Sequence, residues 1–235
     1  MIDCWAVVPV KPFRFAKQRM AGAASAQVRS HLAQAMLADV LDELGRSQRL
    51  AGVIVVTRDP AAACIARRHG AEVRLDPDDR ALTPAVAHTA RWLAGSGRGG
   101  MFVVHGDVPG ISACEVDAVL AAHGEAAGLT IVPSLDGRGS NGVLLTPPDR
   151  VALFFGRDSC ARNLLAACIT GLVPRVRPLP GIGLDLDTPD DLRRFAAVPS
   201  PTRTWRLIEA LNLVDPVTPA SPLPLPLPPP RVLNR

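Results

Sequence analysis

Apolar and polar positions along the 235-residue chain switch between two periods. Trp5 to Val10 is an unbroken apolar run and Val53 to Thr57 a β-branched one, the pattern of strands buried on both faces of a parallel sheet. Between them Val28, Leu32, Met36, Val40 and Leu44 recur at every fourth position, which marks one face of a long amphipathic helix. The rhythm continues with a helix over 61–69, a strand over 72–75, a helix over 85–94, a strand over 101–105 and a helix over 114–123. Strands over 129–132 and 143–145, a helix over 159–169, a strand over 173–177 and a helix over 189–197 complete it. This βαβα alternation predicts one three-layer α/β domain with a mostly parallel sheet. Such sheets bind ligands beyond the carboxyl ends of their strands. The candidate loops are therefore 9–20, 57–60, 76–84, 105–112 and 133–142.

Composition refines this picture. No apolar run approaches the roughly 18 residues of a membrane span. Basic residues do not form a block and tyrosine is absent, so a nucleic-acid footprint is weak. Cys4, Cys64, Cys114, Cys160 and Cys168 are odd in number, scattered and free of any CxxC pair, which fits a reducing compartment. Core packing is the expectation for Cys64, Cys114 and Cys168. The N-terminus does not read as a signal peptide, and a cytoplasmic protein is expected. After residue 198 the chain becomes rich in proline, with the run PLPLPLPPP near its end. The expected division is a domain over 1–198 and a largely disordered tail over 199–235, either dispensable or a proline-motif ligand for a partner.

Only Lys11 and Lys17 among the 26 basic residues are lysines, and both fall in VPVKPFRFAKQRM, just after the first strand. With Arg14 and Arg19 they make a dense cationic loop, suited to a triphosphate or simply solvated. HGDVPG places Asp107 at the end of a strand, between Gly106 and Gly110. GIGLDLDTPDDL sets Asp185 and Asp187 on one face of an extended segment, where they repel unless a cation lies between them. Asp107, Asp185 and Asp187 together would suit Mg²⁺ carrying a nucleotide. Asp187 has a second reading as helix N-cap before Pro189. DGRGSNG is a glycine-rich hairpin loop, and FFGRDS offers Gly156 and the Ser159 hydroxyl at a helix start that could hold an anion. The histidines of the helices, His31, His69, His88 and His123, read as surface residues.

In this order VPVK…AKQRM, GDVPG, GRGSNGVLLTPP, FFGRDS and GIGLDLDTPDDL resemble the CofC/FbiD guanylyltransferases of coenzyme F420 biosynthesis, over roughly residues 5–197. The resemblance implies a single Rossmann-like, GT-A-like nucleotidyltransferase domain. It implies transfer of GMP from GTP to phosphoenolpyruvate, 3-phospho-D-glycerate or 2-phospho-L-lactate, with pyrophosphate released. It implies Mg²⁺ on Asp107, Asp185 and Asp187. The phospho-acid would lie on Ser140, Gly156 and Ser159, and the nucleotide near Val8, Pro9, Lys11, Lys17, Thr83 and Gly106. Lys11, Lys17 and Asp107 would be the catalytic groups. Partners would be these two substrates and the next transferase of the pathway, with the chain a monomer or homodimer and neither nucleic acid nor membrane involved. The chain departs from the family pattern at Ala81-Leu82-Thr83, at Ser140, where the family often has threonine and the hydroxyl is kept, at Asn163 and in its tail. A molybdopterin-type nucleotidyltransferase and a non-catalytic α/β binding module are the alternatives.

Overall fold

The computed structural model describes residues 2–75 and 82–214. One seven-stranded sheet runs in the order β3-β2-β1-β4-β6-β5-β7. Its strands are β1 (Cys4–Val10), β2 (Gly52–Thr57), β3 (Glu72–Leu75), β4 (Gly100–Val104), β5 (Gly128–Pro133), β6 (Ser140–Thr146) and β7 (Arg175–Val176). All neighbours pair in parallel except β6, which is antiparallel to both β4 and β5. β5 and β6 are the hairpin expected around DGRGSNG. The mostly parallel three-layer reading holds.

The two-residue period of each strand splits the core. Val8, Val55, Phe102, Val104 and Leu144 face α1 (Ala26–Arg46), α2 (Pro60–Arg68) and α4 (Ala113–His123). Val7, Ile54, Val56, Met101, Val103 and Leu145 face α3 (Leu82–Gly95) and α5 (Ser159–Ile169). The helices start on residues that satisfy their first free N–H groups. Ser25, Asp59, Ser112 and Thr202 accept from the backbone N–H of Val28, Ala61, Glu115 and Trp205. Thr188 forms a reciprocal capping box with Asp191 at the start of α7 (Pro189–Ala196). α6 (Pro180–Gly183) is a single turn before it.

Three expectations change. Cys64, Cys114 and Cys168 are exposed, because their helices bury the alanine and valine faces instead; only Cys4 and Cys160 are core residues. His123 is buried, its ring bridging the hydroxyls of Thr130 and Thr146 at 2.8 and 2.7 Å. Burial, with Arg175 nearby, lowers its pKa to about 4. The division at residue 198 is also moved. Residues Arg203–Ala210 form α8, which lies on α1 with Ile208 buried. Asp39 of α1, 4% exposed, accepts from the backbone N–H of Arg203 and Thr204 and from the Thr204 hydroxyl. A buried carboxylate thus caps the N-terminus of α8 and holds it to the body. The polyproline segment lies outside the described residues. Among the described residues no helix is long and apolar enough to cross a membrane.

Two outcomes follow from this packing. Ile208→Ala should lower unfolding free energy by about 2–4 kcal/mol in urea titration, and Leu211→Ala by less than about 1 kcal/mol. A similar small loss at both would show that α8 is only loosely attached. For His123 the folded pKa lies below the unfolded one, so its contribution to stability is whole above about pH 6.5 and is lost as pH falls toward 4. The melting temperature of His123→Gln should therefore fall less over that range than that of the unsubstituted chain.

Candidate active site

Chain connections leave β1 and β4 in opposite directions across the sheet, so a crevice opens beyond their carboxyl ends. It holds a cleft of about 1070 Å³. The loop after β1 carries Lys17 into it between two short 3₁₀ turns, Phe13–Phe15 and Gln18–Met20. Lys17 therefore precedes α1 by nine residues instead of opening it. Two anchors fix the loop. Phe13 N–H donates to Asp59 Oδ2 at 2.6 Å. Arg29, buried on α1, donates to the carbonyls of Ala16 and Ala24.

The Lys17 ammonium lies 2.6 Å from Asp107 Oδ2 and 2.8 Å from Asp187 Oδ1, and its side chain is 5% exposed. Arg19 reaches Asp187 at 3.6 Å from the solvent side. A cation between carboxylates is thus present, but it is lysine, and the two carboxylates are Asp107 and Asp187. The Thr188 cap frees Asp187 from the capping role open to it in the sequence. Asp185 lies beside them and accepts from Asn141 Nδ2 at 3.0 Å. Asn141 also donates to the carbonyls of Ile182 and Gly183, while Leu186 N–H donates to the Asp107 carbonyl at 3.0 Å. The segment carrying Asp185 and Asp187 is therefore tied to both central strands. Beneath it, Glu115 accepts from the N–H groups of Gly181 and Ile182. A Cβ on Gly181 would lie 2.2 Å from the Gly110 carbonyl oxygen, so only glycine permits this approach.

Charge settles the protonation pattern. Burial disfavours the Lys17 ammonium, but Asp107 and Asp187 outweigh that and raise its pKa. Burial would raise Asp107, yet the Lys17 charge, with His105 behind it, holds its carboxyl below the usual range. Asp185 moves the other way, pushed up by burial and then by Asp107, against its bond from Asn141. Asp107 Oδ1 and His105 Nε2 are buried without a hydrogen-bond partner, and both residues line the cleft. Among the described residues no group of three or more His, Cys, Asp or Glu is arranged as a metal cluster.

Across the cleft, Ser140 begins β6 and Ser159 begins α5, both almost fully buried. Gly156, whose carbonyl accepts from Ser159 N–H at 3.1 Å, has φ of +94°. Asn163 closes this corner: it grips Phe154 N–H and carbonyl and donates to Ser140 Oγ at 3.3 Å. Arg138 pairs with Asp158 at 2.7 Å beside it.

The cleft is lined by Pro9, Lys11, Lys17, Thr83, Gly106 and Asp107, and also by Ser140, Gly156, Ser159, Asp185 and Asp187. Of the expected site residues Val8 alone is not among its lining. It is fully buried, facing α1 beneath the cleft, because alternation along β1 turns its side chain into the core. Arg29 carries the site without any sequence signal, whereas His105, Asn141 and Phe155 lie inside HGDVPG, DGRGSNG and FFGRDS but are not singled out within those motifs as site residues.

This sheet order with its cleft defines the nucleotidyltransferase fold. A putative nucleotide-diphospho-sugar transferase from Desulfovibrio desulfuricans superposes with a TM-score of 0.72 at 17% identity, covering 90% of this chain and 96% of that one. A nucleotidyl transferase from Methanothermobacter thermautotroptrophicus does so with 0.59 at 17%, covering 82% and 95%. The family described as "Guanylyl transferase CofC like" matches residues 4–215, and the chain belongs to it. A phosphoenolpyruvate guanylyltransferase from Conexibacter woesei is 40% identical over 81% of this chain and 86% of its own. A 3-phospho-D-glycerate guanylyltransferase from Colwellia psychrerythraea is 28% identical over 83% and 92%. The chain is an enzyme, a guanylyltransferase of the nucleotidyltransferase fold.

Asp185→Asn should be at least as stable as the unsubstituted chain without metal. The folded state holds the Asp185 proton more tightly than the unfolded state, so stability is gained as pH falls through the raised pKa. The advantage of the variant should thus be largest near about pH 8 and shrink toward about pH 4 in paired melting curves. Asp107→Asn should instead lose stability, because it removes a partner of buried Lys17.

Proposed function

We propose that the enzyme joins GMP from GTP to the phosphate of phosphoenolpyruvate or 3-phospho-D-glycerate and releases pyrophosphate, as one step of coenzyme F420 biosynthesis. The relatives named for those two acceptors support the choice of acid. The observation that carries the reading is the presence, in the lining of one cleft, of both the Lys17 junction and the anion corner of Ser140, Gly156 and Ser159. Lys11 and Lys17 are the groups for the triphosphate. Pro9 and Gly106 flank it, and Thr83 is the candidate for the guanine base.

Asp107, Asp185 and Asp187 suit a hard divalent ion such as Mg²⁺. Every donor is oxygen, and Asp107 Oδ1 is a buried acceptor with no partner of its own. Such an ion, when bound, would offset negative charge on the nucleotide phosphates.

The rest of the chemistry belongs to the chain. A phosphate monoester with a second pKa near about 6 is already ionised at neutral pH, so the acceptor needs no general base. Its oxygen attacks the GTP α-phosphorus, and the bond from that phosphorus to the bridging oxygen breaks. The buried serines and the backbone at Gly156 hold the acceptor phosphate. The Lys17 ammonium meets the triphosphate, so two anions can approach without prohibitive repulsion.

Pyrophosphate release from GTP and Mg²⁺, with each acid supplied separately, tests this. Turnover is expected with phosphoenolpyruvate or 3-phospho-D-glycerate, and Lys17→Ala should lower it about 100-fold or more, against little change in Arg206→Ala on α8. Release with neither acid, or equal losses in the two variants, would contradict the reading.

A further inference from the structure

Lys17 is short of alternatives. Its ammonium is buried, it touches two carboxylate oxygens, and both belong to residues assigned above to the metal. Asp107 and Asp187 come from loops 90 and 170 residues away in sequence, and the lysine adds a charged tie to the Leu186–Asp107 backbone hydrogen bond that already joins those two segments. A divalent ion held between Asp107 and Asp187, even one that also takes the free Asp107 Oδ1, draws on the same two carboxylates and sets a second positive charge against the buried ammonium. Lys17 sits on a left-handed backbone, φ 51°, between two single 3₁₀ turns, and the exposed Arg19 two residues on can stay near Asp187 when the lysine leaves.

We infer that Lys17 holds the cation position, so that the ammonium and a divalent ion compete for Asp107 and Asp187. A triphosphate, by offering the ammonium other oxygens, then couples nucleotide binding to metal binding. The consequence is an order of loading: the ion enters tightly with or after the nucleotide and binds weakly alone. This rests on the metal reading of the three aspartates given above.

The test uses the full chain and Mn²⁺ alone as probe, followed by the spectroscopic signal of free Mn²⁺ and by melting temperature. Lys17→Met should bind Mn²⁺ at least about tenfold more tightly than the unsubstituted chain, within the usual range of such couplings. Lys17→Gln, which keeps donors but no charge, should do the same. If the methionine variant is destabilised, Mn²⁺ should raise its melting temperature more than that of the parent. A non-hydrolysable GTP analogue should tighten Mn²⁺ binding by a factor at least about tenfold larger in the parent than in either variant, where its phosphates add affinity but displace no ammonium. Equal Mn²⁺ affinity in parent and both variants would overturn the inference: the ion would then sit on Asp107 Oδ1 and Asp185 with the lysine in place. Asp185→Asn separates the two levels. If it weakens Mn²⁺ binding while the Lys17 variants change nothing, only the competition is wrong. If it has no effect, the metal assignment and the competition both fall.

Discussion

A buried ammonium between two carboxylates organises the cleft. Lys17 joins the loop after β1 to the loop after β4 and to the segment before α7, the last two of which are also linked by the Leu186–Asp107 backbone hydrogen bond. Taking charges out of water is costly, and the arrangement persists because each one is met: lysine by Asp107 and Asp187, Asp187 also by Arg19. Removing either carboxylate leaves the buried ammonium with one partner instead of two, which lowers stability. The same compensation explains why Asp107 and Asp185 behave differently. Asp107 is stabilised as a carboxylate by Lys17, whereas burial first, and then the charge of Asp107, disfavours the carboxylate of Asp185.

The scaffold holds these charges by close backbone contacts and not by bulk. Gly110 and Gly181 meet almost surface to surface, and Glu115 seizes the N–H groups of the turn above. Asn141 then holds both that turn and Asp185. On the other wall Asn163 plays the equivalent part for Ser140. The chemistry-bearing oxygens are thus set by second residues that lie on the central hairpin and on α5, elements with full cores behind them.

Much of this was legible in the chain, and for identifiable reasons. Continuous β-branched runs and fourfold helical spacing announce a parallel sheet because both faces must be covered. Carboxylates and lysines at strand ends, in an order shared with a known family, announce the cleft. What escaped was everything decided by contacts distant in sequence. Asp39 looks like a polar interruption of the core face of α1, and only α8 explains it. His123 looks like a surface histidine until two threonines from other strands bracket it. Arg29 carries no motif, and Asn141 lies in one without its role being visible, since their partners are brought near only by folding. The pairing of Lys17 with Asp107 and Asp187 was equally hidden: the residues were visible one by one, the junction was not.

The most direct test of this account is a crystal structure of the enzyme with Mn²⁺ and a non-hydrolysable GTP analogue, the metal placed by its anomalous signal. The account predicts Mn²⁺ coordinated by Asp107 and Asp187, and Lys17 Nζ moved from both carboxylates onto phosphate oxygens. Lys17 still bridging Asp107 and Asp187, with the metal bound elsewhere in the cleft, would contradict it.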